Sequence, residues 1–161
     1  MKNLILIRHA KSSWDAPLND KERSLEQKGI KDALLVAKGS IGFIPAVFQI
    51  YSSSARRASE TAILFAQVYS YSLDAILFLD ELYTFDEYIL EKRVRSIPNH
   101  YDNIILFGHN EAITNFVNKF ADIFIDNVPT AGFVSIQFDA EAWQNIRNGK
   151  ILKVIFPKDL K

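Results

Sequence analysis

The stretch Leu4-Ile5-Leu6-Ile7-Arg8-His9-Ala10-Lys11-Ser12-Ser13-Trp14-Asp15 decides the fold of this chain and the place of its chemistry. Four aliphatic residues in a row, bounded by polar ones, are typical of a strand that is buried on both faces inside a parallel sheet. In open α/β sheets, ligands bind just beyond the carboxyl ends of such strands. Arg8 and His9 therefore stand where a functional site is expected.

The rest of the chain alternates between short apolar segments and helical patterns. Further strands are predicted at 46–51, 75–79, 103–107, 133–138 and 150–156. This alternation predicts an α/β fold with three α/β/α layers around a mostly parallel sheet. The last two strands are expected to form an antiparallel pair at one edge. The first helix is predicted to start with Ser24 as its N-cap, since Gln27 follows at capping-box spacing, and to end at Gly39.

Length and composition indicate one globular domain, residues 1–161, without a strongly charged partner. The 161 residues are 48% hydrophobic, and 19 basic side chains balance 19 acidic ones. A net charge of 0 argues against a nucleic-acid or membrane-surface binder. The chain has no cysteine, which excludes a thiolate nucleophile and thiolate-bound zinc. No signal-peptide pattern follows Met1, and no apolar run approaches the roughly 18 residues of a membrane span, so a cytoplasmic location is expected.

Polar residues of one kind follow three of the predicted strands. The first strand ends in Arg8-His9, the second in serines followed by Arg56-Arg57, and the fourth in Gly108-His109. If these strands are neighbours in a parallel sheet, two histidines and at least one arginine meet at one edge of it. The backbone N–H groups of two helix starts add to the positive field there. The third histidine, His100, lies in a polar segment and is expected on the surface.

Such an edge suits a tetrahedral dianion. An arginine can bind two phosphate oxygens at once, and a histidine near pH 7 can be a neutral nucleophile or a cation. Taken singly, each residue has an ordinary structural interpretation, because an arginine at a strand end is usually solvated and a lone histidine is usually a hydrogen-bonded structural residue. Arg56-Arg57, however, stand in the first turn of a helix, where positive charge is unfavourable by about 0.3–1 kcal/mol. Their position points to a bound anion.

The combined pattern resembles the histidine phosphatase superfamily, which has the phosphoglycerate-mutase-like fold. The Arg-His-Gly signature of that family reads Arg8-His9-Ala10 here. Its Arg-Ala-x-x-Thr-Ala signature corresponds to Arg57 through Ala62, and its histidine after an apolar strand corresponds to His109. The resemblance selects Arg57 rather than Arg56 as the phosphate ligand. Ala10 departs from the signature, because alanine lacks the conformational freedom of glycine.

A finer resemblance, over essentially the whole chain, is to the short bacterial phosphohistidine phosphatases of the SixA type. The segments that carry it are Arg8 to Asp15, Arg23 to Gly29, Glu81 to Tyr83 and Phe156 to Leu160. The resemblance implies a phosphatase without a metal or other cofactor, in which His9 attacks phosphorus and water then hydrolyses the phosphoenzyme. It implies that the phosphate is bound by Arg8, Arg57 and His109, with support from Ser12.

That reaction has physical requirements of its own. His9 must be neutral with Nε2 free, and a hydrogen bond from Nδ1–H to a backbone carbonyl would fix this tautomer. Arg8 and Arg57 are expected to lower the pKa of the His9 imidazole, since like charge disfavours its protonation. His109 is expected to serve as a cation or as a hydrogen-bond donor to the phosphate oxygens.

The proton donor and the surroundings of the site follow from the middle of the chain. The family places an acidic residue after the second helix, and the candidates are Glu81 first, with Asp80 and Asp86 as alternates. An equally open interpretation of Glu81 is a solvated or arginine-paired loop residue. Only one helix and one strand fit between Arg57 and Glu81, and again between Glu81 and His109, so no cap domain is expected over the site.

An open site favours phosphate displayed on a protein surface. The expected partner is therefore a phosphohistidine-bearing protein of the histidine-containing phosphotransfer type. An open site also argues against a mutase, which has to keep its intermediate away from water. Two other functions stay open: a general phosphomonoesterase acting on small phosphate esters, and a non-catalytic module that binds phosphoproteins.

Overall fold

Strands and helices alternate along the described part of the chain, residues 1–14 and 19–161 of a computed structural model. Its strands are β1 (Lys2–Arg8), β2 (Gln49–Ser53), β3 (Leu77–Leu79), β4 (Asn103–Gly108), β5 (Phe133–Phe138) and β6 (Lys150–Ile155). Its α-helices are α1 (Gln27–Ser40), α2 (Arg56–Val68), α3 (Glu87–Arg95) and α4 (Ala112–Phe120). Asp15, the last residue of the opening stretch, lies outside the described residues.

The strands form one mixed sheet in the order β3-β2-β4-β1-β5-β6. β1 pairs with β4, β4 with β2, and β2 with β3, all in parallel. β5 is antiparallel to both of its neighbours, β1 and β6. The predicted antiparallel pair at one edge is thus confirmed, and the strand that runs against the others is β5, one position in from the edge.

The aliphatic run of β1 contributes to the core on both faces of the sheet. Leu4 and Leu6 belong to a buried cluster with residues of α3 and α4, whereas Ile5 and Ile7 belong to a cluster with residues of α1 and α2. Alternate side chains of a strand point to opposite faces, so a continuous apolar run needs cover on both. Burial of each of these Leu and Ile side chains stabilises the folded state by roughly 1.5–3 kcal/mol. The predicted three-layer architecture is confirmed.

The start of α1 differs from the prediction. The helix begins at Gln27 after Glu26 as N-cap, with no side-chain capping hydrogen bond, so the capping box at Ser24 is wrong. The physical reason is tertiary pairing: the backbone N–H of Glu26 donates to the Lys11 carbonyl at 3.0 Å, which ties this segment to the loop after β1. The helix also continues one residue beyond Gly39.

The parallel strands place one set of loops at one end of the sheet. β1, β2 and β4 are adjacent and parallel, so their carboxyl ends lie side by side. α2 and α4 both begin at this edge. His100 lies elsewhere, exposed and next to the ring of Tyr101, as expected. Among the described residues, no helix is long and apolar enough to cross a membrane.

Candidate active site

The carboxyl ends of β1, β2 and β4 bring the predicted residues together. Arg8 pairs with Gly108 in the β1–β4 register, so His9 and His109 follow side by side, with ring centroids 5.2 Å apart. Arg57 is the second residue of α2 and lines, together with Arg8 and His9, a cavity of about 290 Å³. The prediction that two histidines and at least one arginine meet at this edge is confirmed.

His9 is held as a neutral ring in one tautomer. Its Nδ1 lies 2.7 Å from the Ala10 carbonyl oxygen, which can only accept, so Nδ1 carries the hydrogen and Nε2 keeps its lone pair. The side chain is 8% exposed. Burial first, and then the charges of Arg57, Arg8 and Arg23, lower the pKa of His9 to about 4, although the Ala10 hydrogen bond opposes this. The predicted contact of Nδ1 with a backbone carbonyl is present, and the lowered pKa favours the neutral ring near pH 7.

The backbone after His9 is anchored to α2. The N–H of Ala10 donates to Thr61 Oγ1 at 3.0 Å, and that hydroxyl donates to the Arg57 carbonyl at 2.7 Å. The threonine of the second signature therefore connects the arginine and the histidine of the site. Ala10 is fully buried and does not adopt a positive φ. Its backbone has no need of the freedom of glycine, so the departure from the signature costs no strain.

His109 lies beneath the surface with one ring nitrogen in use. Its Nε2 lies 2.8 Å from the Ser53 hydroxyl, which also accepts from the N–H of Ala55 at 3.1 Å. The Ser53 hydrogen is thus available to Nε2, and we assign the ring hydrogen to Nδ1. Burial lowers the pKa of His109 to about 3, and the positive charges of His9, when that ring is itself protonated in acid, and of Arg57 act in the same direction. Of the two expected roles, neutral hydrogen-bond donor and cation, the structure favours the donor.

Buried donors without partners surround this pair of histidines. Nε of Arg8, Nε of Arg57 and Nδ1 of His109 are buried and have no hydrogen-bond partner among the described residues. Other nitrogens of these arginines are in use, because Arg8 Nη1 donates to the Val128 carbonyl at 3.0 Å and Arg57 Nη2 donates to Asp20 Oδ2 at 2.9 Å. Buried polar atoms nearly always have partners. Three free donors in one site indicate an anionic ligand.

Asp20 is a member of the site that the sequence did not reveal. Its carboxylate accepts hydrogen bonds from Arg57, from Arg23 and from the Tyr83 hydroxyl. Burial acts to raise the pKa of Asp20, but the hydrogen bonds from Tyr83, Arg57 and Arg23 outweigh it and hold the pKa at about 2. The group is ionised and fixes both guanidinium groups. The charged run Asp20 to Arg23 reads in the sequence as a solvated loop, so nothing in its spacing distinguishes this carboxylate.

Ser12 lines the cavity, as predicted for a supporting residue. Its hydroxyl oxygen accepts from Nη1 of the buried Arg23 at 2.6 Å. The hydrogen bond between Ser12 and Arg23 holds the guanidinium group in place. A contact between Ser12 and phosphate stays a prediction. Besides Asp20 and Arg23, the cavity wall contains five side chains that the sequence did not assign to the site: Lys11, Trp14, Phe85, Asn110 and Thr130.

The structure does not bring Glu81 to His9. The Glu81 carboxylate is exposed, forms an ion pair with Arg93 at 3.3 Å, and lines a different cavity. This corresponds to the arginine-paired interpretation of the residue. The geometry gives no support for Glu81 as the proton donor, and that role stays a prediction.

The two alternate carboxylates are also engaged elsewhere. Asp80 is exposed and accepts hydrogen bonds from Ser54 and Lys21. Asp86 caps α3 by accepting from the N–H of Tyr88 at 2.7 Å. The carboxylate that does line the cavity, among the described residues, is Asp20. The part of the chain described by the structure also holds no cluster of three or more histidine and acidic side chains that could bind a metal ion.

Solved structures with this architecture define its class, the phosphoglycerate-mutase-like fold. The protein histidine phosphatase SixA complexed with tungstate superposes with a TM-score of 0.83 at 19% identity, covering 99% of both chains. A mycobacterial glucosyl-3-phosphoglycerate phosphatase gives 0.70 at 12% identity, covering 95% of this chain and 98% of its own. Phosphoglycerate mutase from Bacillus anthracis str. Sterne gives 0.69 at 16% identity, covering 84% and 87%. The predicted fold is confirmed.

The sequence itself places the chain in a family. Residues 4–84, half of the chain, match the model of the histidine phosphatase superfamily (branch 1). The chain belongs to that superfamily. An uncharacterized chloroplastic protein of Arabidopsis thaliana is 30% identical over 135 residues, which cover 81% of this chain and 53% of the relative. The chain thus spans about half the length of the curated relative that it matches.

Proposed function

We propose that this chain is a phosphatase that works through a phosphohistidine intermediate on His9. The observation that carries the proposal is the set of buried donors without partners on Arg8, Arg57 and His109, next to a neutral histidine whose Nε2 is free. Three such donors suit the non-bridging oxygens of a phosphoryl group, and the lone pair of Nε2 suits attack on phosphorus. Membership of the histidine phosphatase superfamily supports the same chemistry.

The proposed reaction has two displacements at phosphorus. In the first, Nε2 of His9 forms a bond to phosphorus while the bond from phosphorus to the leaving group breaks on the opposite side. The donors of Arg8, Arg57 and His109 stabilise the charge on the remaining oxygens. The Ala10 carbonyl stabilises the Nδ1–H of the phosphorylated ring, which is more acidic than that of the free ring. In the second displacement, water attacks phosphorus and the phosphorus–nitrogen bond breaks, which releases inorganic phosphate that carries the oxygen and the protons of the water and restores neutral His9.

The proposed substrate is phosphohistidine on a protein of the histidine-containing phosphotransfer type. Among the described residues, the carboxylate that lines the cavity is Asp20, which has its pKa held at about 2 and cannot donate a proton near pH 7. An alkoxide leaving group needs such a proton. An imidazole leaving group is readily protonated by solvent and leaves as a neutral ring. The site therefore suits a phosphorus–nitrogen bond better than an alkyl phosphate ester.

The test compares wild type with His9→Ala, and uses His100→Ala as the matched control because His100 is exposed and outside the site. We expect His9→Ala to abolish hydrolysis of a phosphorylated histidine-containing phosphotransfer domain and of an aryl phosphate, with an unchanged circular dichroism spectrum. His100→Ala should keep wild-type turnover. Wild type should also form an acid-labile, base-stable phosphate adduct on His9.

Each rival function gives a different result in this experiment. Near-wild-type hydrolysis by His9→Ala would overturn the assignment of the nucleophile. Binding of the phosphorylated domain without turnover or adduct would identify a non-catalytic module. Faster turnover of sugar phosphates than of the phosphorylated domain would identify a general phosphomonoesterase.

A further inference from the structure

Trp14 is an exposed ring held on a buried support. Its side chain is 76% exposed, yet the guanidinium carbon of Arg23 lies 3.5 Å from the centroid of its ring. Arg23 is itself buried and is fixed by hydrogen bonds to Asp20 and Ser12. One face of the indole is thus occupied and the ring is positioned. A large apolar surface kept in place and open to solvent indicates a binding role.

A second exposed ring lines the same cavity. Phe85 is 51% exposed, and its ring packs edge-on against His109 with centroids 5.5 Å apart. Trp14 and Phe85 share the cavity wall with His9, which is buried, so the aromatic rings lie nearer to solvent than the nucleophile does. The charged and the apolar parts of the cavity therefore lie at different depths.

The geometry of phosphoryl transfer says which part of a substrate meets these rings. The attacking and the leaving atoms lie on opposite sides of phosphorus, roughly in line. With His9 attacking from the buried side, the leaving group departs towards the exposed side. Trp14 and Phe85 are thus placed to contact the leaving group, and not the phosphate itself.

We propose that Trp14, held by Arg23, stacks on the leaving group and selects substrates whose phosphate is carried by a planar ring, above all the imidazole of phosphohistidine. This inference rests on the proposed function, because it assigns a specificity residue to that same site. An imidazole presents a flat face to an indole, and in its protonated form adds a cation–π attraction. An alkyl phosphate offers neither. The expected discrimination is at least about fivefold in affinity.

Non-hydrolysable phosphonates test this selection independently of turnover. Imidazol-4-ylphosphonate and methylphosphonate are titrated by calorimetry into wild type, Trp14→Ala and Trp14→Phe. We expect wild type to bind the imidazolyl compound at least about fivefold more tightly than the methyl compound. Trp14→Ala should lose this preference while its affinity for methylphosphonate changes by less than about twofold, and Trp14→Phe should keep most of the preference.

The chain offers a matched control in Phe43. This exposed ring is also covered by a cation, with Lys153 Nζ 4.3 Å from its centroid, and it lies between α1 and β2, outside the cavity that His9 lines. Phe43→Ala should therefore bind both phosphonates as wild type does. Thermal unfolding of each variant checks that the fold is intact.

The possible results separate the two proposals. Equal binding of both phosphonates by wild type, no binding of either, or an undiminished preference in Trp14→Ala overturns the role of Trp14. A preference that depends on Trp14, combined with no turnover of any phosphate by wild type, supports ring recognition and overturns the proposed catalysis. Turnover without a preference that depends on Trp14 gives the reverse conclusion.

Discussion

At the scale of single residues, each functional side chain divides its polar atoms between the fold and the site. His9 uses Nδ1 to bind the Ala10 carbonyl and keeps Nε2 free. His109 uses Nε2 to bind a serine and keeps Nδ1 free. Arg57 uses both terminal nitrogens to bind Asp20 and keeps Nε free. The structural bond fixes the ring or the guanidinium, so the free atom is already in place when a ligand arrives.

The adjacent arginines at the start of α2 give a matched pair of substitutions. We expect Arg57→Ala to lower kcat/KM by at least about a hundredfold, which is about 2.7 kcal/mol of transition-state stabilisation, because a buried cation at the phosphate is removed. Arg56→Ala should stay within about twofold, because Arg56 is exposed and forms only a surface ion pair with Glu60. Steady-state kinetics on an aryl phosphate measures both effects.

A structural explanation of the Arg57 effect is tested by a third variant. Arg57→Lys keeps the charge but cannot bind Asp20 with two terminal nitrogens while presenting a third donor. It should fold and still lose most of the activity, with thermal unfolding as the check on the fold. Equal losses in Arg56→Ala and Arg57→Ala would contradict the assignment of Arg57 to the phosphate.

Substitution of Glu81, unlike that of Arg57, is expected to have little effect on activity. Glu81→Gln should keep turnover of a phosphohistidine protein within about threefold of wild type, because the carboxylate pairs with Arg93 away from His9. Arg93→Gln, which removes the same ion pair, serves as the control for an indirect effect. A loss of turnover of a hundredfold or more in Glu81→Gln but not in Arg93→Gln would establish Glu81 as the proton donor. It would also contradict the placement of its carboxylate away from His9.

The site residues that could be predicted from the sequence are those that stand at the end of an apolar strand. Arg8, His9 and His109 directly follow or end apolar strands, and the parallel arrangement of those strands brings them together. Asp20 begins a one-turn 3-10 helix and Arg23 follows it, and this segment is held by contacts with Arg57, Ser12 and Tyr83. No periodicity marks such a segment, so its contribution to the site emerges only in three dimensions.

At the scale of elements, α1 packs directly against the backbone of the loop that follows β1. A Cβ atom at Gly29 would lie 2.2 Å from the Lys11 carbonyl oxygen and 2.9 Å from its nitrogen, so only glycine allows this approach. The same loop carries Ser12, which pairs with Leu25 in an isolated bridge. The first helix therefore positions the loop that follows His9.

This packing predicts a large effect of a single methyl group. Gly29→Ala should reduce the free energy of unfolding by up to about 2 kcal/mol, since a steric cost of about 1–3 kcal/mol is offset by only about 1 kcal/mol of helix propensity. It should also lower kcat/KM, because the loop next to His9 has to move. Urea unfolding and steady-state kinetics measure the two effects.

Gly42→Ala is the control for Gly29→Ala. A Cβ atom at Gly42 would meet nothing within 4 Å, so we expect a change in the free energy of unfolding of less than about 0.5 kcal/mol and unchanged kinetics. If Gly29→Ala proved as stable and as active as Gly42→Ala, the close approach of α1 to this loop would be wrong.

The element boundaries show what local sequence can and cannot establish. The aliphatic runs in β1 and β4 predict their strands well, because burial on both faces leaves no alternative for such runs. The predicted N-cap at Ser24 is wrong, although the sequence there has capping-box spacing. Backbone pairing with the loop after β1 keeps this segment extended. Competition between a local cap and a tertiary contact has no signature in the sequence.

At the scale of the whole molecule, the sheet separates two apolar clusters and holds a group of buried, charged or ionisable side chains at the carboxyl ends of β1, β2 and β4. The buried side chains at this carboxyl edge include His9, Arg57 and His109, which together carry a cost of desolvation. Both histidines are neutral in the folded chain because burial lowers their pKa values. Burying these groups at the proposed phosphate site therefore lowers the stability of the fold in acid.

This cost predicts how stability depends on pH. The pKa values of His9 and His109 fall from 6.5 to about 4 and about 3 on folding, so between these values the unfolded chain binds more protons. The free energy of unfolding should therefore fall as the pH falls from 6.5, by up to about 2 kcal/mol per histidine at pH 5. Urea unfolding at several pH values measures the slope.

Substitution by glutamine assigns that slope to particular rings. His9→Gln removes a titrating group, so its free energy of unfolding should fall less steeply between pH 6.5 and 5 than that of wild type. His100→Gln removes an exposed histidine and should leave the slope unchanged. Inorganic phosphate at a fixed concentration should stabilise wild type, because a ligand that binds only the folded state shifts the equilibrium towards it. A slope that His100→Gln reduces as much as His9→Gln would show that burial at this edge is not the source of the acid sensitivity.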